Sequence, residues 1–264
     1  MIRLVFLLIS FLSFDLSYSQ SSDKAEFKVG YQMTLFDDKE QGQDLRYVYN
    51  YILWFNAVKS LYADPELKSF YEALHESWKS KHLPSLGGRQ PKSKTSVYKD
   101  DSGIIATLPI GSVYMYSYKE PDLKWELIPG ENKVILGKSC SLAKTISDTG
   151  KVYFAWYSPE IAIPEGPFRF KGLAGLVLEV YNEDGSLVIN AVGIEKSRDI
   201  IKPINYPNVI IVKNKADFLK KRKDYFENPN SEQFSSQFKA YTMDGKEIVS
   251  KRLSIDVNEK LLLD

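Results

Sequence analysis

The chain has little of what usually announces chemistry. Its 264 residues hold one cysteine and two histidines. A single cysteine excludes an internal disulfide, although exported proteins are free to form them. Charge of one sign is also missing: 35 basic residues face 34 acidic ones, for a net of +1. That balance argues against a dedicated nucleic-acid binder, which carries a basic excess. Beyond the first turns of the chain no apolar run reaches the ~20 residues of a membrane-spanning helix. No linker rich in serine, glycine or proline divides the chain, and no internal repeat recurs. G-x-S-x-G, Walker A, H-E-x-x-H and C-x-x-C patterns are all missing. No catalytic residue, cofactor or metal is therefore assigned from motifs.

What is present begins with a leader. Arg3 is a basic start, Leu4 to Phe14 is apolar apart from Ser10 and Ser13, and Ser17-Tyr18-Ser19 places small residues at the two cleavage-determining positions. This pattern predicts a signal peptide over residues 1–19, removed before Gln20. Asp15 and the short apolar run argue against an uncleaved anchor, and with no cysteine following there is no lipoprotein site. The expected location is periplasmic or secreted, with no transmembrane segment after cleavage. About 245 residues then remain, and they read as a single β-rich domain over 20–264.

Aromatic content is high, with 17 tyrosines and 14 phenylalanines, and aromatic residues favour strands. Strands are expected over Ala25 to Phe36, Leu45 to Asn56, Ala57 to Ala63, Thr95 to Lys99, Gly103 to Leu108 and Ser112 to Lys119. Further ones follow over Lys124 to Ile128, Lys133 to Leu136, Cys140 to Ile146, Lys151 to Tyr157, Leu176 to Tyr181, Leu187 to Val192 and Val209 to Val212. Asp184-Gly185 between two apolar runs is a strong hairpin signal, because both residues tolerate positive φ. Asp64-Pro65-Glu66 opens a helix, with Leu67, Phe70, Tyr71, Leu74 and Trp78 at helical spacing and an end before Pro84. Asn214 opens a second, with Phe218, Leu219, Tyr225 and Phe226 as its apolar stripe and Lys220 to Lys223 on the other side. Residues 228–264 read as weakly structured, with one further turn at Met243 to Lys246. The fold class is thus mainly β (α+β): a single antiparallel, curved sheet with two covering helices.

The most distinctive stretch runs from Gly150 to Gly193. Between its first two strands lies a long connection holding Pro164, Gly166, Pro167, Gly172 and Gly175. The run Gly172-Leu173-Ala174-Gly175-Leu176-Val177 sits at its end. Around it stand Trp125-Glu126, Gly137, Cys140, Ala143, Ala155 to Ser158, Ile161, Pro164 and Gly166-Pro167. In this order and spacing the segment from Trp125 to Gly193 resembles the GLPGLI family of exported Bacteroidota proteins. Ala174 stands where that family has proline and Val177 where it has isoleucine. The resemblance implies export; it implies no activity.

Several residues carry a chemical and a structural reading side by side. Cys140 lies among Leu136, Leu142 and Ala143, which favours a packed thiol; catalysis would need a base nearby. His75 and His82 share one helix face but stand about 10.5 Å apart along its axis, too far to share a metal without other ligands. Tyr114, Tyr116 and Tyr118 form a one-sided stripe that suits a covered sheet face or a stacking surface. Glu160, Glu165 and Glu179 are the carboxylates available for acid–base work. The candidate binding residues are Trp156, Tyr157, Glu165, Phe168 and Arg169, in and beside the connection, and Gly172 to Val177 are read as structural. The function expected is that of an exported, non-catalytic binding or envelope-associated protein. Its partner would be an envelope protein, a peptide or a glycan. A periplasmic or secreted hydrolase using carboxylates or Cys140 is the alternative.

Overall fold

The computed structural model describes residues 23–36, 46–80, 90–111 and 114–227. The leader, Ser112-Val113, His82, the stop before Pro84 and the turn expected at 243–246 lie outside them.

Twelve described strands form one open sheet. In chain order they are β1 (Phe27–Phe36), β2 (Arg46–Phe55), β3 (Ser60–Ala63), β4 (Ser96–Asp100), β5 (Gly103–Ile110) and β6 (Tyr114–Glu120). They continue with β7 (Glu126–Ile135), β8 (Lys138–Ile146), β9 (Val152–Ser158), β10 (Leu176–Asn182), β11 (Leu187–Lys196) and β12 (Val209–Ile211). Their order across the sheet is β12-β6-β5-β4-β3-β2-β1-β11-β10-β9-β8-β7. Every pairing is antiparallel but one: β12 runs parallel to β6, so the sheet is mixed. The helices are α1 (Leu67–Ser80) and α2 (Lys215–Glu227).

Alternation explains which way each strand faces. Val29, Tyr31, Met33 and Leu35 of β1 and Tyr49, Tyr51, Leu53 and Phe55 of β2 are buried on one face. Gln32, Asn50 and Asn190 on the other face meet solvent. Strand β3 is buried on both faces: Tyr62 enters the main core, while Leu61 and Ala63 meet Leu67 and Tyr71 of α1. Helix α2 packs on the opposite, core face, where Phe218 lies over Tyr118 and Tyr116 at 4.7 and 6.4 Å. The two helices therefore cover opposite faces, and the tyrosine stripe of β6 is covered at Tyr116 and Tyr118 but exposed at Tyr114.

The expected helix starts are built as capping predicts. Asp64 accepts from the Glu66 amide at 2.9 Å, and Asn214 from the Asp217 amide at 2.9 Å. Trp78 departs from the expected stripe: it is 53% exposed and its ring meets His75 edge-on. The two strands read as Lys124 to Ile128 and Lys133 to Leu136 are one strand, β7, whose register shifts between Ile128 and Asn132. Pro129-Gly130 looks like a break in sequence and is instead a bulge, with Gly130 at φ +86°. Strand β11 also runs on to Lys196, beyond the expected end at Val192.

The sheet is strongly curled. Arg169, in the connection between β9 and β10, pairs with Glu120 on β6 at 3.0 Å and with Asp148 in the β8–β9 turn at 2.8 Å. Strands β6 and β8 stand nine places apart in the strand order, or roughly 43 Å on a flat sheet at ~4.8 Å per strand. One arginine side chain spans them, so the sheet closes round its apolar face and the connection fills the interior.

Candidate functional site

The interior site follows from strand register. Phe55, Ser60, Lys99, Ile104 and Glu120 face one another in succession across β2, β3, β4, β5 and β6. One ladder row of the core face thus carries a hydroxyl, an ammonium and a carboxylate. Buried charge is costly unless it is paired, and the connection from Pro159 to Gly175 supplies the partners.

Glu165, fully buried, is held by Lys99 at 2.7 Å and by Lys171. Lys171 also donates to the Gly166 carbonyl at 3.0 Å and to Ser60 Oγ at 3.2 Å. Burial alone would raise the Glu165 pKa; the charges of Lys171 and Lys99 outweigh it and hold the carboxyl below its usual value. Burial pulls Lys171 downward by more than Glu165 pulls it up. At the other end Arg169, Glu120, Asp148 and Lys215 form a second cluster, with Lys215 at 2.7 Å from both Glu120 and Asp148. Burial pushes the Asp148 carboxyl up, but Lys215 and Arg169 leave it below its ordinary value.

The connection is folded on itself to deliver these groups. The Gly172 amide donates to the Pro164 carbonyl at 3.1 Å and the Val177 amide to that of Glu165 at 2.8 Å. Trp125 Nε1, beside the β7 edge, donates to the Lys171 carbonyl at 2.8 Å. The two motif glycines do different work. Gly172 holds φ +92° in open space, whereas a β-carbon on Gly175 would lie 2.2 Å from the Ser158 carbonyl oxygen. Gly175 is needed for close approach of backbones, and Gly172 for positive φ.

The five candidate binding residues are all buried, and they divide. Glu165, Phe168 and Arg169 are inside the curl, and Tyr157 joins the same core. Trp156 follows Leu142 and Glu179 on the outer face, where Lys133 lies 5.7 Å over its ring. None of the five lines the depressions at the start of β1, along α1, at the β4–β5 turn or beside β12. Of the motif residues, Leu173, Gly175, Leu176 and Val177 are buried, while Gly172 and Ala174 are exposed.

The carboxylates proposed for acid–base work are kept apart, each paired with lysine: Glu160 with Lys138, Glu165 with Lys99 and Lys171, and Glu179 with Lys133. Cys140 is 2% exposed, and burial pushes its thiol pKa up. His75 is remote from it, on α1, bonded to the Asn205 carbonyl at 2.8 Å.

What reaches solvent is the second cluster. Glu120, Asp148 and Lys215 line a depression of about 620 Å³. Its walls come from the β4–β5 turn (Asp101, Ser102), the end of β6 and beyond (Lys119, Asp122) and the approach to α2 (Lys213, Asn214). Sequence reasoning singled out Arg169 but missed Glu120, Asp148 and Lys215. Only the register of β3 to β6 and the curl of the sheet bring them together. No group of three or more metal-ligating side chains occurs among the described residues. No helix among them is long and apolar enough to cross a membrane.

No protein-family model matches this chain, and no curated protein matches it. Among solved structures it is similar to PNGF-II, at 16% identity and a TM-score of 0.46 over 74% of this chain and 32% of that one. The chain thus spans about a third of the length of PNGF-II. It is also similar to an uncharacterized conserved protein from Thermus thermophilus, at 9% identity and a TM-score of 0.32, over 69% of this chain and 90% of that one. Likenesses this distant carry nothing further about the site.

Proposed function

We propose that the protein is an exported, non-catalytic binding protein of the cell envelope, of GLPGLI type, with its ligand site in the charged depression beside α2. The floor of that depression is the observation that carries the reading. Glu120, Asp148 and Lys215 are fixed there by a strand, a turn and a helix, and Arg169 of the interior connection pairs with both carboxylates from behind the lining. Charges of both signs held in place cost little to reorganise when a ligand arrives. Asp101, Lys119, Asp122 and Lys213 repeat both signs on the walls. A peptide segment, with backbone donors and acceptors and side chains of both charges, is the ligand chemistry that suits such a surface. The signal-peptide pattern of residues 1–19 supports export, as does the ordered set of motifs from Trp125 to Gly193.

The test is a pull-down from envelope extract with the parent protein and with a Lys119→Glu/Lys213→Glu variant, both positions being exposed. The parent should retain a partner that the variant loses, with unchanged circular dichroism. A partner retained equally by both would overturn the choice of site. Intact mass of protein from the native envelope should begin at or near Gln20, and full-length protein in the cytoplasm would sink the export reading.

A further inference from the structure

On the outer face of the sheet the register lines up a second feature, away from the depression. Phe154 faces Tyr181, Tyr181 faces Val188, Val188 faces Thr34 and Thr34 faces Val48. This row crosses β9, β10, β11, β1 and β2, roughly 19 Å at ~4.8 Å per strand. Phe154 and Tyr181, both half-buried, are stacked on each other, 5.3 Å between centroids and 16° between planes, as an aromatic pair at one end of the row. The neighbouring row on the same face reads Trp156, Glu179, Asn190, Gln32, Asn50. Its three amides are exposed, and among the described residues their side chains make no hydrogen bond.

Charge selects the occupant of this face. On the part of this face formed by β1 and β7 to β11, the described lysines are each matched: Lys28 with Glu195 at 3.1 Å, Lys133 with Glu179 at 2.6 Å, Lys138 with Glu160 at 3.0 Å and Lys144 with Glu126 at 3.2 Å. Anionic lipid or nucleic acid would find no unmatched basic stripe there. What remains is an apolar, partly aromatic row beside a row of neutral groups that both donate and accept. We propose that this face binds an uncharged glycan chain, its apolar ring faces on Phe154 and Tyr181 and its hydroxyls on Gln32, Asn50 and Asn190. This site is independent of the peptide depression, so either reading can fail alone.

Affinity electrophoresis of the purified protein tests it, in gels carrying neutral polysaccharides (soluble glucan, mannan, galactan and xylan). Retardation by at least one is expected. A Gln32→Ala/Asn190→Ala variant, altered only at exposed positions, should bind about tenfold more weakly through two lost hydrogen bonds, while still unfolding like the parent. No retardation in any of the four gels overturns the proposal, as does retardation unchanged in the variant. Sedimentation with vesicles of anionic lipid is the competing arm. Vesicle binding that is lost in Phe154→Ser while the gels show none assigns the face to membrane and overturns the glycan.

Discussion

A β-carbon on Gly175 lies 2.2 Å from the Ser158 carbonyl oxygen and 2.9 Å from the Pro159 α-carbon, both backbone atoms that cannot swing aside. Gly175→Val should therefore cost about 3 kcal/mol or more, as overpacking against fixed atoms does. Gly172→Ala meets open space and bears only the penalty of a left-handed backbone, about 1–2 kcal/mol. Chemical denaturation of both variants checks the order; the reverse order would mean that φ, not close approach, governs the motif. Ala174→Pro should be tolerated within about 1 kcal/mol, since Ala174 is exposed and its amide is not a donor among the backbone bonds of this loop. Cys140 belongs to the same scale. A thiol that is buried and pushed up in pKa should label slowly in the native protein and fast in the unfolded one. Fast native labelling would return it to the list of reactive groups.

Among the elements, those with local causes were legible in the sequence and those with distant causes were not. The alternation of β1 and β2, the turn at Asp184-Gly185 and the caps Asp64 and Asn214 each rest on neighbours within a few residues. The join of β7 across Pro129-Gly130 was not legible, because the bulge is held by pairing with β8. The row Ser60, Lys99, Glu120 was not legible either, since three separate strand pairings set it, one of them across α1. For that reason Glu165 and Arg169, candidate binding residues in the sequence, are interior charges in the structure. Their burial has a pH consequence. Glu165 is held below its ordinary pKa, so its stabilising contribution is complete above the unfolded value of about 4.3 and is lost as pH falls through the lower folded value. Glu165→Gln should unfold less steeply with acid than the parent, and at neutral pH should cost about 3–5 kcal/mol by leaving Lys171 buried without its charge partner. Glu165→Leu with Lys171→Met should recover much of that loss, because well-packed apolar groups can replace a buried pair, and Lys99, partly exposed, can turn to water. If the double variant is no more stable than Glu165→Gln, the pair is held for something other than its charge.

At the scale of the whole molecule, one open sheet acts as a closed container because side chains, not strand pairing, join its far sides. Strands β6 and β8 share no ladder, and the contact between their regions passes through Arg169, with α2 contributing Lys215 to the same carboxylates. This arrangement makes the curl depend on a few charged atoms at the mouth, whereas the rest of the interior is held by aromatic and aliphatic packing. Arg169→Met keeps the length and the apolar stem of the side chain but removes both ion pairs. Glu120 would stay buried without the guanidinium charge, and Asp148 would have solvent on one side. The loss should be about 3–5 kcal/mol, the range for breaking a buried pair from one partner. Its location is the sharper expectation. Amide hydrogen exchange should speed up together at the end of β6, in the β8–β9 turn and in the first turn of α2, while β1, β2 and β11 keep their protection, since the ion pairs of the cluster join the former elements. If β6 alone loosens, Arg169 is a local partner of Glu120 and the sheet is held closed by packing.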